Sequence, residues 1–168
     1  MKIARIVALI GAISALIGVG LGLLLPELMA WYRLELSTGE GYYLNGLGFL
    51  TIRGAIIDRE DSLLVLIGGI GTILGAILCI ISAIKESKKI GFFGGVLMLL
   101  GPVLLIVELA ARVGDFTTAI GTFVDGLGKG IFWGSWDDGF TLYTWELWIG
   151  FYMSAAGGFL GLLGGVAY

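Results

Sequence analysis

Few side chains in this sequence of 168 residues are of a type that catalyses reactions or binds metal ions. The chain has no histidine, which removes the commonest general base and metal ligand, and its single cysteine is Cys79. A lone thiol inside an apolar run is typical of a small packing residue rather than a nucleophile. These absences exclude cysteine–histidine nucleophiles, zinc sites of cysteine and histidine, and paired-thiol redox centres. We therefore expect no enzyme activity and no cofactor.

The carboxylates are the remaining candidates for chemistry. Asp137 and Asp138, together with Asp125 or Asp115, offer oxygen ligands for a divalent cation, but their spacing is not that of an EF-hand loop. A solvated acidic surface is the simpler interpretation. The glycine spacings that resemble GxGxxG lie inside apolar runs and lack the strand and the ribose-binding acid of a nucleotide site. A net charge of -3, with no basic patch outside the KESKK segment, disfavours nucleic acid.

The composition places the chain in a lipid bilayer. Hydrophobic residues make up 58% and charged residues 14% of the sequence, and the mean hydropathy is +1.00, which is more apolar than a soluble domain of this length. Four segments have about the 20 residues that cross roughly 30 Å of hydrocarbon. These predicted helices cover about 3–25, 63–84, 90–111 and 145–167. The prediction is one integral membrane domain over 1–168, an all-α bundle with outer segments at 26–62 and 112–144.

The basic residues predict how these helices are oriented. Lys2 and Arg5 flank the first helix, and Lys85, Lys88 and Lys89 lie in the turn between the second and the third. Because basic residues in short loops stay in the cytoplasm, we expect a multi-pass protein of the cell membrane with both termini cytoplasmic. The first apolar run is too long for a secretion signal and has no small-x-small cleavage site after it, so we interpret it as a retained helix.

Many of the 30 glycines recur at small-xxx-small spacing within the predicted helices. Helices in lipid associate by close approach of their backbones, which small residues permit. The predicted packing residues are Gly18 and Gly22, Gly71 and Gly75, Gly91 and Gly95, and in the fourth helix the two rows Gly150, Ser154, Gly158 and Gly157, Gly161, Gly165. Two interpretations stay open: these faces pack inside one bundle, or some of them bind a second copy or the helices of other proteins.

The third predicted helix carries the one carboxylate inside an apolar run. Glu108 lies near its outer end, and Arg112 follows one turn later on the same face, where the two can form an ion pair. We interpret the pair as an anchor, and the alternative is an ion or proton site. Pro102 should bend the same helix, because proline lacks a backbone N–H and clashes with the preceding turn.

The first outer segment carries the alternation of a β-sheet. Between Trp31 and Ser37, Arg33 and Glu35 alternate with leucines, which is the period of a half-buried strand. The TGEG sequence suits a reversal, and further extended pieces are expected over 42–44 and 49–57. The prediction is a three-stranded antiparallel meander on the outer membrane face. The acidic stretch 58–62 is expected to cap the second helix.

The second outer segment predicts a helix and an aromatic surface. Phe116, Ile120, Phe123 and Leu127 lie on one helical face, which either prolongs the third helix or forms a separate amphipathic helix. The WGSWDDGF cluster exceeds what an aromatic belt at the membrane edge requires. The predicted outer contact surface comprises Trp31, Tyr42, Tyr43, Phe49, Trp133 and Trp136.

These features together resemble the claudin-type four-transmembrane superfamily. The matching residues are Trp31, just outside the first helix, and Gly46-Leu47-Gly48-Phe49, in the place of a GLW motif about fifteen residues later. The small outer sheet and the prolonged third helix are also similar. The resemblance implies a sheet held against the membrane and side-by-side oligomers. The GLW motif reads GLGF here and the paired loop cysteines are absent, so barrier or pore function does not carry over.

Three functions are compatible with the sequence. The first is a non-catalytic structural scaffold or cell-contact component that associates with itself. The second is an accessory subunit of a larger membrane complex, docked through the same small faces. The third is a small channel or transporter in which Glu108 lines the path. The expected partners are the lipid bilayer and either further copies or other membrane subunits, and the sequence does not identify a small-molecule ligand.

Overall fold

Four long helices dominate the protein. The computed structural model describes residues 2–52, 55–59, 63–119, 132–137 and 139–167, with side chains for all of these except Lys2, 55–59, 112–119 and Trp136. The helices are α1 (Lys2–Leu24), the single turn α2 (Pro26–Met29), α3 (Leu63–Lys85), α4 (Lys88–Ala119) and α5 (Ile149–Val166). The helices α1, α3, α4 and α5 are each long and apolar enough to cross a membrane. The four predicted spans are therefore confirmed, and they fit a multi-pass membrane protein.

The bundle is a square in which each long helix has two main neighbours. Helix α1 packs against α3 and α5, and α4 packs against the same two helices. Small residues face the centre, since Ala8, Ala12 and Ala15 are fully buried, whereas Leu74 and Phe159 are more than half exposed. This inverted distribution suits a lipid surrounding, because lipid tails solvate large apolar side chains and close backbone approach holds the helices together.

Two helix boundaries differ from the predictions. The fourth span was predicted from residue 145, but α5 begins at Ile149 because the preceding residues form a strand. Helix α4 runs beyond 111 to Ala119, so the third helix is prolonged, which was one of the two alternatives that the pattern at Phe116 left open. Ile120, Phe123 and Leu127 lie outside the described residues. Pro102 lies inside α4, and the bend expected there stays a prediction.

The sheet is larger than the predicted meander. Its six antiparallel strands are β1 (Tyr32–Leu36), β2 (Gly41–Leu44), β3 (Phe49–Ile52), β4 (Ala55–Arg59), β5 (Trp133–Asp137) and β6 (Leu142–Leu147), in the order β4-β3-β2-β1-β6-β5. The predicted single strand over 49–57 is wrong, because the chain reverses between β3 and β4. Asp58 belongs to β4 rather than to a helix cap, and 60–62 lie outside the described residues.

The turn between β2 and β3 fastens the sheet to the helices. Asn45 in this turn is almost fully buried, and its Oδ1 accepts hydrogen bonds from the backbone N–H groups of Leu47 (2.9 Å) and Phe49 (3.1 Å). Gly46 lies against the indole of Trp31 and, through its carbonyl, against Gly69 of α3. A side chain at either glycine would force the turn away from the bundle. The GLGF stretch is therefore the point where the sheet meets the helices.

The opposite end of the bundle holds the basic residues. Arg5 of α1 forms an ion pair with Glu86 in the turn between α3 and α4. Glu86 is the one non-glycine residue of the described chain with a positive φ, 55°, and this left-handed conformation closes α3 where glycine is usual. Arg5 and residues 85–89 therefore share one end, which we call the basic end. The other end is the sheet end.

Candidate functional site

The predicted packing residues lie in contacts within this one chain, and all of them are buried. A β-carbon at Gly18 would lie 2.5 Å from the Gly150 carbonyl oxygen, and one at Gly157 would lie 2.5 Å from the Gly11 oxygen. Helices α1 and α5 thus touch backbone to backbone. Gly75 of α3 makes the equivalent contact with α4, since a β-carbon at Gly75 would lie 2.5 Å from the backbone nitrogen of Met98.

The second small face of α5 meets α4. Here Gly158 lies against Leu99, Gly161 against Met98, and Gly165 against Gly91. The remaining predicted packing residues have partners of the same kind: Ser154 faces Gly18, Gly95 faces Leu162, Gly71 contacts Leu100, and Gly22 approaches the Met29 carbonyl and Asn45. Packing inside the bundle therefore accounts for the burial of these residues.

Trp31 corrects the predicted contact surface, because it has no exposed area. Its Nε1 donates a hydrogen bond to the Gly18 carbonyl oxygen at 3.0 Å, and its ring meets Phe151 edge-on at 6.5 Å between centroids. Val19, Val65 and Leu105 belong to the same buried cluster. Trp31 is thus the core residue that joins α1, α3, α4, α5 and the first strand.

The polar residues within the spans have structural roles where they are described. Thr72 Oγ1 lies 3.0 Å from the Gly68 carbonyl oxygen and 3.2 Å from that of Met98, so it can link α3 to α4. Ser14 Oγ donates to the Met153 carbonyl oxygen at 3.0 Å, which links α1 to α5. Glu108 is half-buried. The side chain of Arg112 lies outside the described residues, so the ion pair with Glu108 stays a prediction.

A rigid cluster of charged and aromatic residues covers one face of the sheet. The register sets Arg33 of β1 between Tyr43 of β2 and Glu146 of β6. The Arg33 guanidinium donates to Glu146 Oε1 through Nε at 3.0 Å and to Glu35 Oε1 through Nη1 at 2.9 Å. The same group lies 3.3 Å above the ring centre of Trp148. We call Arg33, Glu35, Tyr43, Glu146 and Trp148 the polar face.

The electrostatics of the polar face are slightly negative. Two carboxylates share one guanidinium, which leaves one negative charge on the cluster. Tyr43 Oη lies 3.4 Å from Glu35 Oε1, and burial, followed by the charge of Glu35, raises the pKa of Tyr43. The hydroxyl therefore stays protonated and can act as a donor. Because each group is held by at least one other, the side chains of the polar face are preorganised.

Beside the polar face lies a rim of exposed apolar side chains. Trp133 on β5 is 65% exposed, and Phe140, in the turn between β5 and β6, is 96% exposed. This turn is fastened to the β1–β2 turn, since the Ser37 N–H donates to the Leu142 carbonyl oxygen at 2.8 Å. The exposed rim is therefore held on ordered backbone. We call Trp133, Phe140 and Leu142 the apolar rim.

The predicted contact residues divide into three groups. Trp133 is exposed as predicted, Tyr42 and Phe49 are half-buried, and Tyr43 is almost buried within the polar face. The side chain of Trp136 lies outside the described residues. Sequence reasoning did not single out Phe140, which is almost fully exposed. The glycine at position 139 could have indicated the turn, because a glycine between two aromatic stretches is typical of a hairpin. In the structure Gly139 has a φ of 87°.

The acidic residues near the apolar rim do not form a metal site in the part of the chain that the structure describes. No group of three histidine, cysteine, aspartate or glutamate side chains lies close enough there to hold an ion. Asp137 instead accepts a hydrogen bond from the Gly139 N–H at 2.8 Å. Asp138 and Asp125 lie outside the described residues, as does the side chain of Asp115.

Comparison with known proteins assigns no family. No protein-family model matches the chain, and no curated protein matches it. The claudin-type resemblance is therefore a proposal that depends on the residues and the topology given above.

Alkaline pH is expected to destabilise the sheet through Tyr32. Burial raises the pKa of Tyr32 above its ordinary value of 10.0, so above pH 10 the unfolded chain releases a proton that the folded chain keeps. Stability due to this group is complete below pH 10 and then falls by about 1.4 kcal/mol per pH unit until the folded pKa is reached. Unfolding in detergent at several pH values, for wild type and Tyr32→Phe, measures the difference. The phenylalanine variant should have the shallower alkaline slope, and identical slopes would contradict the assignment.

Proposed function

We propose that this chain is a non-catalytic membrane protein that acts through its sheet end, as a structural or cell-contact component that binds a second copy of itself. One observation carries the proposal. The small faces of the helices pack against one another inside the bundle, whereas the sheet end presents the apolar rim beside the preorganised polar face. Binding between copies is therefore a task for the sheet rather than for the helices.

The residue types at the sheet end are those that dominate protein interfaces. Exposed aromatic anchors beside a charged cluster are the usual hot spots, because they bury much area with little loss of side-chain freedom. Trp133 and Phe140 supply the anchors, and Arg33 with its two carboxylates supplies the polar complement. A pair of copies related by a two-fold axis would bury the rim of each against the other. The claudin-type resemblance, which implies side-by-side oligomers, supports association between copies.

The orientation belongs to the same proposal. Basic residues at the basic end favour the cytoplasm for that end, which would leave the sheet outside the cell and both termini inside. A sheet in that position can bind a copy in the same membrane or in the membrane of a neighbouring cell. In the accessory-subunit alternative, this surface rather than the small helix faces would bind a foreign partner.

Particle mass in mild detergent tests the proposal. Wild type should form particles of more than one copy, and the double change Trp133→Ala with Phe140→Ala should weaken association by about thirtyfold or more, because hot-spot truncations cost about 2 kcal/mol or more. Phe93→Ala is the matched control, since Phe93 is 62% exposed at the basic end. It should leave the mass unchanged.

Three results would contradict self-association through the sheet. A wild-type particle of one copy with stoichiometric foreign subunits would favour the accessory role. A monomer without partners, or a multimer that the double variant leaves intact, would remove the sheet as the contact surface. Mixing liposomes that carry the protein then separates contact within one membrane from contact between membranes, since only the latter aggregates the vesicles.

A further inference from the structure

The basic end carries three lysines whose charges have no partner in the part of the chain that the structure describes. Lys85 ends α3, and Lys88 and Lys89 begin α4, so all three side chains are exposed on one turn. The only carboxylate in the turn, Glu86, is taken by Arg5 of α1. Among the described residues, the turn therefore presents three uncompensated ammonium groups.

Folding alone does not account for two of these lysines. Lys88 and Lys89 lie in the first turn of α4, which contains no acidic residue. The start of a helix carries partial positive charge, so cations there are unfavourable unless an anion is near. A negatively charged partner from outside the chain would offset this repulsion.

Exposed apolar side chains indicate where the lysines lie relative to the hydrocarbon of the bilayer. Ile3 of α1, Ile84 of α3 and Phe93 of α4 are 77%, 74% and 62% exposed, and each lies within about one helical turn of the basic end. Such side chains belong in hydrocarbon. Lysine stems reach from that boundary toward the interface and place their ammonium groups at the level of the lipid phosphates.

We propose that the basic end binds the phosphate groups of anionic lipids in the adjoining leaflet through Lys85, Lys88 and Lys89. The ion pair between Arg5 and Glu86 holds the turn in place and keeps its one carboxylate away from the lysines. Anionic headgroups attract juxtamembrane basic residues, and each residue contributes independently. The three lysines lie on an exposed turn rather than in an enclosed cavity, which suits headgroups presented by a bilayer. This binding concerns the end opposite the proposed contact surface and does not depend on it.

Lipid retention measured by native mass spectrometry tests the proposal. The purified full chain in neutral detergent is titrated with phosphatidylglycerol or, separately, with phosphatidylcholine. Wild type should bind phosphatidylglycerol more tightly, and the variant K85Q/K88Q/K89Q should lose on the order of a hundredfold in affinity for it, about fivefold for each ammonium group. Affinity for phosphatidylcholine should not change.

Two controls make the result decisive. The variant K85R/K88R/K89R keeps the three charges and should retain binding within a few-fold. In phosphatidylcholine the arginine variant should unfold at the wild-type temperature and the glutamine variant no lower, since the lysine charges are unfavourable at the start of α4, which excludes misfolding as the cause of any loss. Equal binding of the two lipids by wild type, or unchanged binding by the glutamine variant, would overturn the proposal. Displacement of phosphatidylglycerol by inorganic phosphate, but not by chloride at equal ionic strength, would also overturn it in favour of a free-anion site.

Discussion

Truncating Trp31 to alanine is expected to destabilise the protein by about 3 to 5 kcal/mol, the cost of removing a large aromatic side chain from a packed core. Trp31 is fully buried, and its ring touches Gly46 of the sheet turn and Gly101 of α4. The change therefore opens a cavity at the junction between the sheet and the helices. We also expect the sheet to lose its fixed position, so that association through the apolar rim weakens as well.

Trp133→Ala is the matched control for this prediction. It removes the same side chain from an exposed position, and its effect on stability should stay within about 0.5 kcal/mol. Trp31→Phe keeps an aromatic ring but loses part of the bulk together with the N–H that donates to the Gly18 carbonyl oxygen, so it should cost less than the alanine change and at least about 1 kcal/mol. Denaturant unfolding in detergent measures all three variants. Equal effects of the two alanine changes would show that Trp31 does not lie in the core.

Replacing Gly11 by leucine is expected to cost about 3 kcal/mol relative to the same replacement at Gly20. A β-carbon at Gly11 would lie 2.5 Å from the backbone nitrogen of Gly161 and 2.6 Å from the Gly157 carbonyl oxygen, and backbone atoms cannot rotate away. The helices α1 and α5 must separate to make room. At Gly20, on the same helix, nothing lies within 4 Å of the new carbon.

Comparing the stability changes at Gly11 and Gly20 removes the contribution of helix propensity and leaves the contribution of packing. Both positions lie inside α1, so leucine improves helix propensity equally, by roughly 1 kcal/mol. Thermal unfolding and particle mass should be measured together. A large loss of stability for Gly11→Leu, with wild-type copy number for Gly20→Leu, is the expected result. A variant at Gly11 that stays stable but changes copy number would instead place this face between copies.

The sequence determined the elements whose signal is local. A membrane-spanning helix is recognised by about 20 consecutive apolar residues, and the four spans lie where such runs occur. The alternation around Arg33 predicted β1, since period two is legible within five or six residues. The spacing of four between small residues identified the faces of α1, α3 and α5 on which backbones meet. Each of these patterns is contained within a single element.

The tertiary structure decided everything that depends on distant partners. The β6 sequence LYTWEL reads equally as the start of an apolar helix, and it is a strand because β1, more than a hundred residues earlier, pairs with it. Trp31 sits next to a polar strand, and only the convergence of four helices buries it. The same holds for the glycine faces. Their spacing allows close packing against any neighbouring helix, and the order of the helices around the core determines which helix that neighbour is. Local patterns specify which face packs, whereas the identity of the neighbour is a non-local property that only the folded chain supplies.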